Sequence, residues 1–189
     1  MDIKLIVFDL NGVFFDRVKL KDADPNDDRK YYDYGWMRYY IKEGIYKFIN
    51  KYSKTYDMGI YTSMTHDNVH NILKKMFGCK YKYKFKFILT REHVKFDPEY
   101  GLLPEIESYD TVKHLDDIFM NPMCNKYRKY NPDNTIIIDD SYKKIRFNDP
   151  KNVIILNSNI NESNHGYTVC SSYKDISELL EKSLKNKKY

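Results

Sequence analysis

From Leu5 the chain runs apolar through Ile6, Val7 and Phe8, then meets a carboxylate, Asp9, with a turn at Gly12. A short apolar run bounded by turn residues predicts a strand over residues 4–9, buried on both faces. The pattern returns at residues 135–138, which lead into Asp139 and Asp140, and at 58–61, which lead into Thr62 and Ser63. A fourth strand is predicted over 152–156. Between these runs the apolar positions fall at helical spacing, predicting helices over 44–52, 67–77, 111–119 and 175–184. Strands alternating with helices predict one α/β domain over residues 1–189, built on a doubly wound parallel sheet. Open sheets of this kind gather ligand groups at their C-terminal edge, where Asp9, Thr62, Asp139 and Asp140 all fall.

Other stretches break this rhythm. Residues 15–33 are polar and charged and read as an exposed loop. Residues 80–87 alternate strictly, with Lys80, Lys82, Lys84 and Lys86 against Tyr81, Tyr83, Phe85 and Phe87, which predicts a strand of period two. Residues 121–133, with their Pro and Asn, read as a loop, and 185–189 as a basic tail.

Composition changes the picture little. The 19 Tyr among 189 residues match a general excess of Lys, Asn, Ile and Tyr, as an AT-rich genome would produce. A net charge of +5 permits an acidic partner without requiring one. Cys79, Cys124 and Cys170 show no paired spacing, so a disulfide framework or zinc site is not expected, and a reducing compartment fits. The first residues form a core strand and no apolar run reaches membrane-spanning length, so a cytoplasmic or nuclear protein is expected.

The candidate chemistry lies at the strand ends. Carboxylates suit Mg²⁺, a hard cation that keeps several waters and needs one or two protein carboxylates beside a phosphate. A carboxylate can also act as a nucleophile toward phosphorus, a hydroxyl such as that of Thr62 can hydrogen-bond a phosphoryl oxygen, and a lysine can neutralise it. Lys113, Lys126, Lys129, Lys143 and Lys144 are all candidates for that lysine. His66 and His70 are spaced i,i+4, but without a metalloprotease motif they read as a solvated helix face.

These motifs, in order, resemble those of the haloacid dehalogenase (HAD) superfamily of phosphotransferases, and within it the phosphatases of the RNA polymerase II C-terminal domain. Residues 8–13, Phe-Asp-Leu-Asn-Gly-Val, resemble the first motif. Residues 41–48 resemble an Arg-Pro-Gly-hydrophobic helix start, without its Arg and Pro. Residues 56–63 resemble the second motif, Val112-Lys113-His114-Leu115 the third, and Ile138-Asp139-Asp140-Ser141 the fourth. The resemblance implies a HAD-like, Rossmann-like fold with a small β insertion at about 80–104. The Lys/aromatic strand then reads either as a solvated edge strand whose lysines discourage edge pairing or as part of that insertion, with its basic face flanking the site. The charged loop leaves no room for a large cap between Gly12 and Thr62. It also implies a Mg²⁺-dependent phosphomonoester hydrolase acting through an aspartyl-phosphate on Asp9, on phosphoserine or phosphothreonine in a protein or peptide. Asp9, Asn11, Thr62 and Lys113 would be catalytic, and Asp9, the carbonyl of Asn11, Asp139 and Asp140 would serve the metal. Active relatives carry a second Asp where this chain has Asn11, and an amide cannot exchange protons. A slow phosphatase, a protein trapped as the aspartyl-phosphate and a pseudophosphatase that binds phosphoproteins all remain open. Nucleic-acid binding ranks lower, because the basic residues form no dense cluster.

Overall fold

The computed structural model describes residues 2–99, 111–156 and 166–185. Its centre is a six-stranded parallel sheet. The strands are β1 (Leu5–Phe8), β5 (Asp57–Tyr61), β6 (Ile88–Leu89), β9 (Thr135–Asp139), β10 (Val153–Leu156) and β11 (Thr168–Cys170), in the order β11-β10-β9-β1-β5-β6. Helices cover both faces, as the unbroken apolar strands require. Ile6, Phe8, Met58, Ile60, Ile136 and Ile138 meet α1 (Ile45–Tyr52), α2 (His66–Phe77) and α5 (Tyr173–Lys185) on one side. On the other, Leu5, Val7, Ile137 and Val153 meet α3 (Leu115–Phe119) and α4 (Tyr142–Ile145). The buried positions of α1, Ile45, Phe48, Ile49 and Tyr52, have the spacing that marked it in the sequence. The strand β11 was not expected.

The expected loop over 15–33 is a correction. β2 (Phe15–Lys19), β3 (Tyr31–Tyr34) and β4 (Met37–Ile41) form an antiparallel sheet in the order β2-β4-β3, so a small β module stands between Gly12 and Thr62. One face sends Phe15, Tyr39 and Ile41 into the main core. On the other, the Arg38 guanidinium lies 3.8 Å from the Tyr31 ring centroid. Its strands mix charged residues with aromatics, as in Phe15-Asp16-Arg17-Val18-Lys19, which hid them from a search for apolar runs.

Residues 80–87 are not a strand. Cys79–Tyr83 form a 3₁₀ turn, and the chain pairs with the sheet only at β6. Tyr81, Phe85 and Phe87 are buried while Tyr83 is 89% exposed, so the alternation is broken at its second aromatic. The segment joins β5 only at its end: the Lys86 N–H donates to the Met58 carbonyl at 2.7 Å, the Phe87 carbonyl accepts the Ile60 N–H at 3.1 Å, and the Phe87 ring packs where a Cβ on Gly59 would lie, 2.3 Å away. Nor does the lysine face flank the C-terminal edge. Lys86 lies 3.3 Å from Asp57, the first residue of β5, at the opposite edge of the sheet. Within the expected insertion, β7 (Lys95–Phe96) pairs antiparallel with β8 (Thr111–Val112); residues 100–104 and the tail 186–189 lie outside the described residues. β8 also takes the first turn of the helix expected over 111–119. The cysteines are free, and no described helix is long and apolar enough to cross a membrane.

Candidate active site

Parallel register brings the strand ends together. Phe8 pairs with Ile60 of β5 and with Ile138 of β9, so Asp9 and Asp139 come out level with each other and Thr62 one residue further along, just past the end of β5. Asp9, Thr62 and Asp139 are buried, and Asp140 is half-buried. One carboxylate oxygen from each of Asp9, Asp139 and Asp140 lies within 4.8 Å of the others, the only such cluster of His, Cys, Asp or Glu among the described residues.

Lys113, at the end of β8, is fully buried among them. Its Nζ donates to Asp139 Oδ2 at 2.6 Å and forms an ion pair with Asp9 Oδ1 at 3.0 Å. The Lys113 backbone N–H donates to the carbonyl of Lys144 at 2.8 Å. Asn148 closes a clamp around it, donating to the Lys113 carbonyl and accepting from the Leu115 N–H, both at 2.8 Å. No signal in the sequence marked Asn148. Of the rival lysines, Lys129 pairs with Asp57 at the far edge, whereas Lys144 stands 3.8 Å from Asp9 Oδ2. Burial would raise the Asp9 carboxyl, but Lys113, then Lys144, and a hydrogen bond from Thr62 hold it below the usual carboxylate range.

The two adjacent acids differ. Asp139 has both oxygens engaged, Oδ2 by Lys113 and Oδ1 by the Ser141 N–H at 2.9 Å, so it positions the lysine. Asp140 is pushed up to about 7 by burial and by the nearby charges of Asp139 and Asp9, with Lys144 opposing. Its Oδ1, with Asp9 Oδ1 and Asn11 Oδ1, is buried without a hydrogen-bond partner among the described residues. Orphaned buried oxygens carry a desolvation cost unless something positive occupies the space between them. Gly12 makes that space. It has φ +77°, and a Cβ there would fall 1.9 Å from Asp140 Oδ2. The donor set is all oxygen and fits a hard divalent cation.

Thr65 holds the N-cap position of α2, so Thr62 stands free of the helix at the end of β5. Its hydroxyl accepts the Met64 N–H at 3.4 Å and faces Asp9. His66 and His70 lie on α2 with ring centroids 4.0 Å apart and tilted by 54°, and His70 bonds the Tyr81 hydroxyl, so the expected solvated face is partly engaged.

The buried lysine yields a stability prediction. Lys113→Met leaves Asp9 and Asp139 without their shared counter-charge, and breaking a buried pair from one side costs about 3–5 kcal/mol. Urea unfolding of the metal-free protein should show that loss, and a loss below ~1 kcal/mol would mean the carboxylates find other compensation.

A parallel sheet that delivers carboxylates from its first and fourth motifs, with a lysine between them, is the fold of the HAD superfamily. Solved structures agree on the fold. The fission yeast RNA polymerase II CTD phosphatase Fcp1, bound to beryllium fluoride, matches with TM-score 0.51 and 15% identity over 98% of this chain and 50% of that one. A HAD-superfamily hydrolase from Geobacter sulfurreducens matches with TM-score 0.53 and 11% identity over 94% and 99%. The chain thus spans half the length of the fission yeast structure. Residues 4–188 match the family model for the NLI interacting factor-like phosphatases, and the chain belongs to that family. No curated protein matches the sequence.

Proposed function

We propose that the protein is a Mg²⁺-dependent phosphomonoester hydrolase that works through an aspartyl-phosphate on Asp9, on a phosphorylated serine or threonine of a protein. The observation that carries this reading is the Asp9 carboxylate, ionised and held between two lysines beside the unpartnered buried oxygens of Asn11 and Asp140. A carboxylate oxygen of Asp9 attacks phosphorus, and the ester oxygen leaves with the bonding pair. Water then attacks the aspartyl-phosphate, and Asp9 is restored as phosphate departs. Thr62 and Lys113 hold phosphoryl oxygens and keep Asp9 ionised. Asp9, Asp140 and the backbone carbonyl of Asn11 would hold Mg²⁺, with Asp139 behind them, and the ion supplies charge stabilisation on the transferring group. Family membership and the fission yeast enzyme, described as a phosphatase of the polymerase C-terminal domain, support a phosphoprotein substrate.

Asn11 favours a second reading, a cleft that binds phosphoproteins without turning them over, because neither proton transfer has a titratable group at that position. The expected electrostatic help from Lys80–Lys86 drops out of this reading, since Lys86 pairs at the other edge. An aryl phosphate assay separates the two. Phosphate release that requires Mg²⁺ and stops with chelator supports hydrolysis. Phosphopeptide affinity with no release supports the binding module. Gly12→Ala tests the cation pocket in either case. Its Cβ displaces Asp140 and adds roughly 1–2 kcal/mol of left-handed backbone strain. Calorimetry should find Mg²⁺ binding lost; undiminished binding would place the cation elsewhere.

A further inference from the structure

We propose that Lys144 is a second phosphate-binding cation of this site, reaching the phosphoryl group from the face of Asp9 that Lys113 does not cover. The proposal rests on the reading of the cleft as a phosphate site and adds a residue to it. Lys113 is fully enclosed and already shared between Asp9 Oδ1 and Asp139 Oδ2. Lys144 stands on the other oxygen, 3.8 Å from Asp9 Oδ2, too far for a hydrogen bond, and its side chain is 27% exposed. It therefore stands at the mouth of the site, where an arriving phosphate oxygen comes within its reach.

The backbone makes the two lysines one unit. The carbonyl of Lys144 accepts the N–H of Lys113, and Asn148 ties the segments further by donating to the carbonyls of both Lys113 and Ile145. Lys144 stands on α4, which begins two residues after Asp140. Its charge acts on both Asp9 and Asp140. Three carboxylates then face two ammonium groups, an excess of one negative charge that a divalent cation converts to one positive. A dianionic phosphate meets a net attraction only once both the metal and Lys144 are counted. With Asn11 neutral, the site favours holding a phosphoryl group over releasing it.

Removing the Lys144 charge must move two affinities in opposite directions, which a merely structural role would not do. The measurements are calorimetric titrations with inorganic phosphate at saturating Mg²⁺, and with Mg²⁺ alone. Lys144→Ala should weaken phosphate by about tenfold, the scale of one charge-assisted hydrogen bond, and should tighten Mg²⁺ a few-fold. Lys144→Arg should restore both toward wild type, and Lys143→Ala, the exposed neighbour, should change neither. Unchanged phosphate affinity in Lys144→Ala overturns the proposal and leaves the phosphatase reading to stand on turnover. A fall in both affinities makes Lys144 a prop for the Asp139–Asp140 turn and also overturns it. Wild-type protein that binds Mg²⁺ but no phosphate overturns it as well, and turnover of an aryl phosphate then decides separately whether the hydrolase reading survives.

Discussion

Asn11→Asp will raise the turnover of an aryl phosphate by about 10²–10⁴-fold, the range contributed by a positioned general acid–base group. The replacement is nearly isosteric and leaves in place both the backbone bridge between Asn11 and Phe15 and the carbonyl proposed for Mg²⁺. What it changes is the side-chain oxygen, which in the wild type is buried and accepts no hydrogen bond among the described residues. A carboxyl there has the two requirements of the role. It is two residues from the nucleophile, and it enters a neighbourhood that already pushes Asp140 up to about 7 through burial and like charge. An acid raised in this way can protonate a leaving alkoxide and then, ionised, draw a proton from the attacking water. The gain should appear mainly in kcat, because the acid acts in the transition state and contributes little to ground-state binding. Mass spectrometry must show that wild-type Asn11 is intact, since Asn-Gly deamidates and would imitate the variant. If the intact wild type already turns over as fast as the variant, proton transfer is supplied by another group or by the substrate. If both are inert while Mg²⁺ binds, the phosphoprotein-binding reading takes the place of the hydrolase.

Asp9→Ala should abolish turnover, with losses on the order of 10⁴–10⁶-fold, as for removal of a covalent nucleophile. The test is most informative in the Asn11→Asp background, where there is more activity to lose. The fold should survive the change, because Lys113 keeps Asp139 at 2.6 Å and is not left as an unpaired buried charge. Acid-quenched samples incubated with labelled aryl phosphate add a direct readout. Wild type should retain label in an acid-stable, hydroxylamine-sensitive acyl phosphate, and Asp9→Ala should retain none. Because Asn11 cannot activate water, label should persist longer in the wild type than in Asn11→Asp. Turnover unchanged in Asp9→Ala would mean that the chemistry happens elsewhere.

The outline of the fold could be read directly from periodicity. Unbroken apolar runs such as Leu5–Phe8 occur where a strand is covered on both faces, so they marked the sheet and implied helices on either side. Their polar last residues named Asp9, Thr62, Asp139 and Asp140, because a parallel strand ends at the edge where ligand sites form. The substitution at position 11 was equally local. Strands covered on one face only were not legible: β2, β3 and β4 mix aromatics with charges, and only their packing against the main core separates them from a loop. The converse holds at residues 80–87, where a perfect alternation folds as a 3₁₀ turn over Cys79–Tyr83 that buries Tyr81 and exposes Tyr83.

Sequence by itself determined which residues could do the chemistry, since residue type and strand-end position are properties of short segments. Only the tertiary structure decided how they share it. Lys113 and Lys144 look alike as candidate lysines in the sequence, yet one is enclosed between two carboxylates and the other stands at the mouth of the site. Asp139 and Asp140 are neighbours in the chain, yet one has both oxygens engaged and the other has a buried oxygen left over. The cause is register: pairing Phe8 with both Ile60 and Ile138 brings together groups more than a hundred residues apart, and no local pattern encodes that distance.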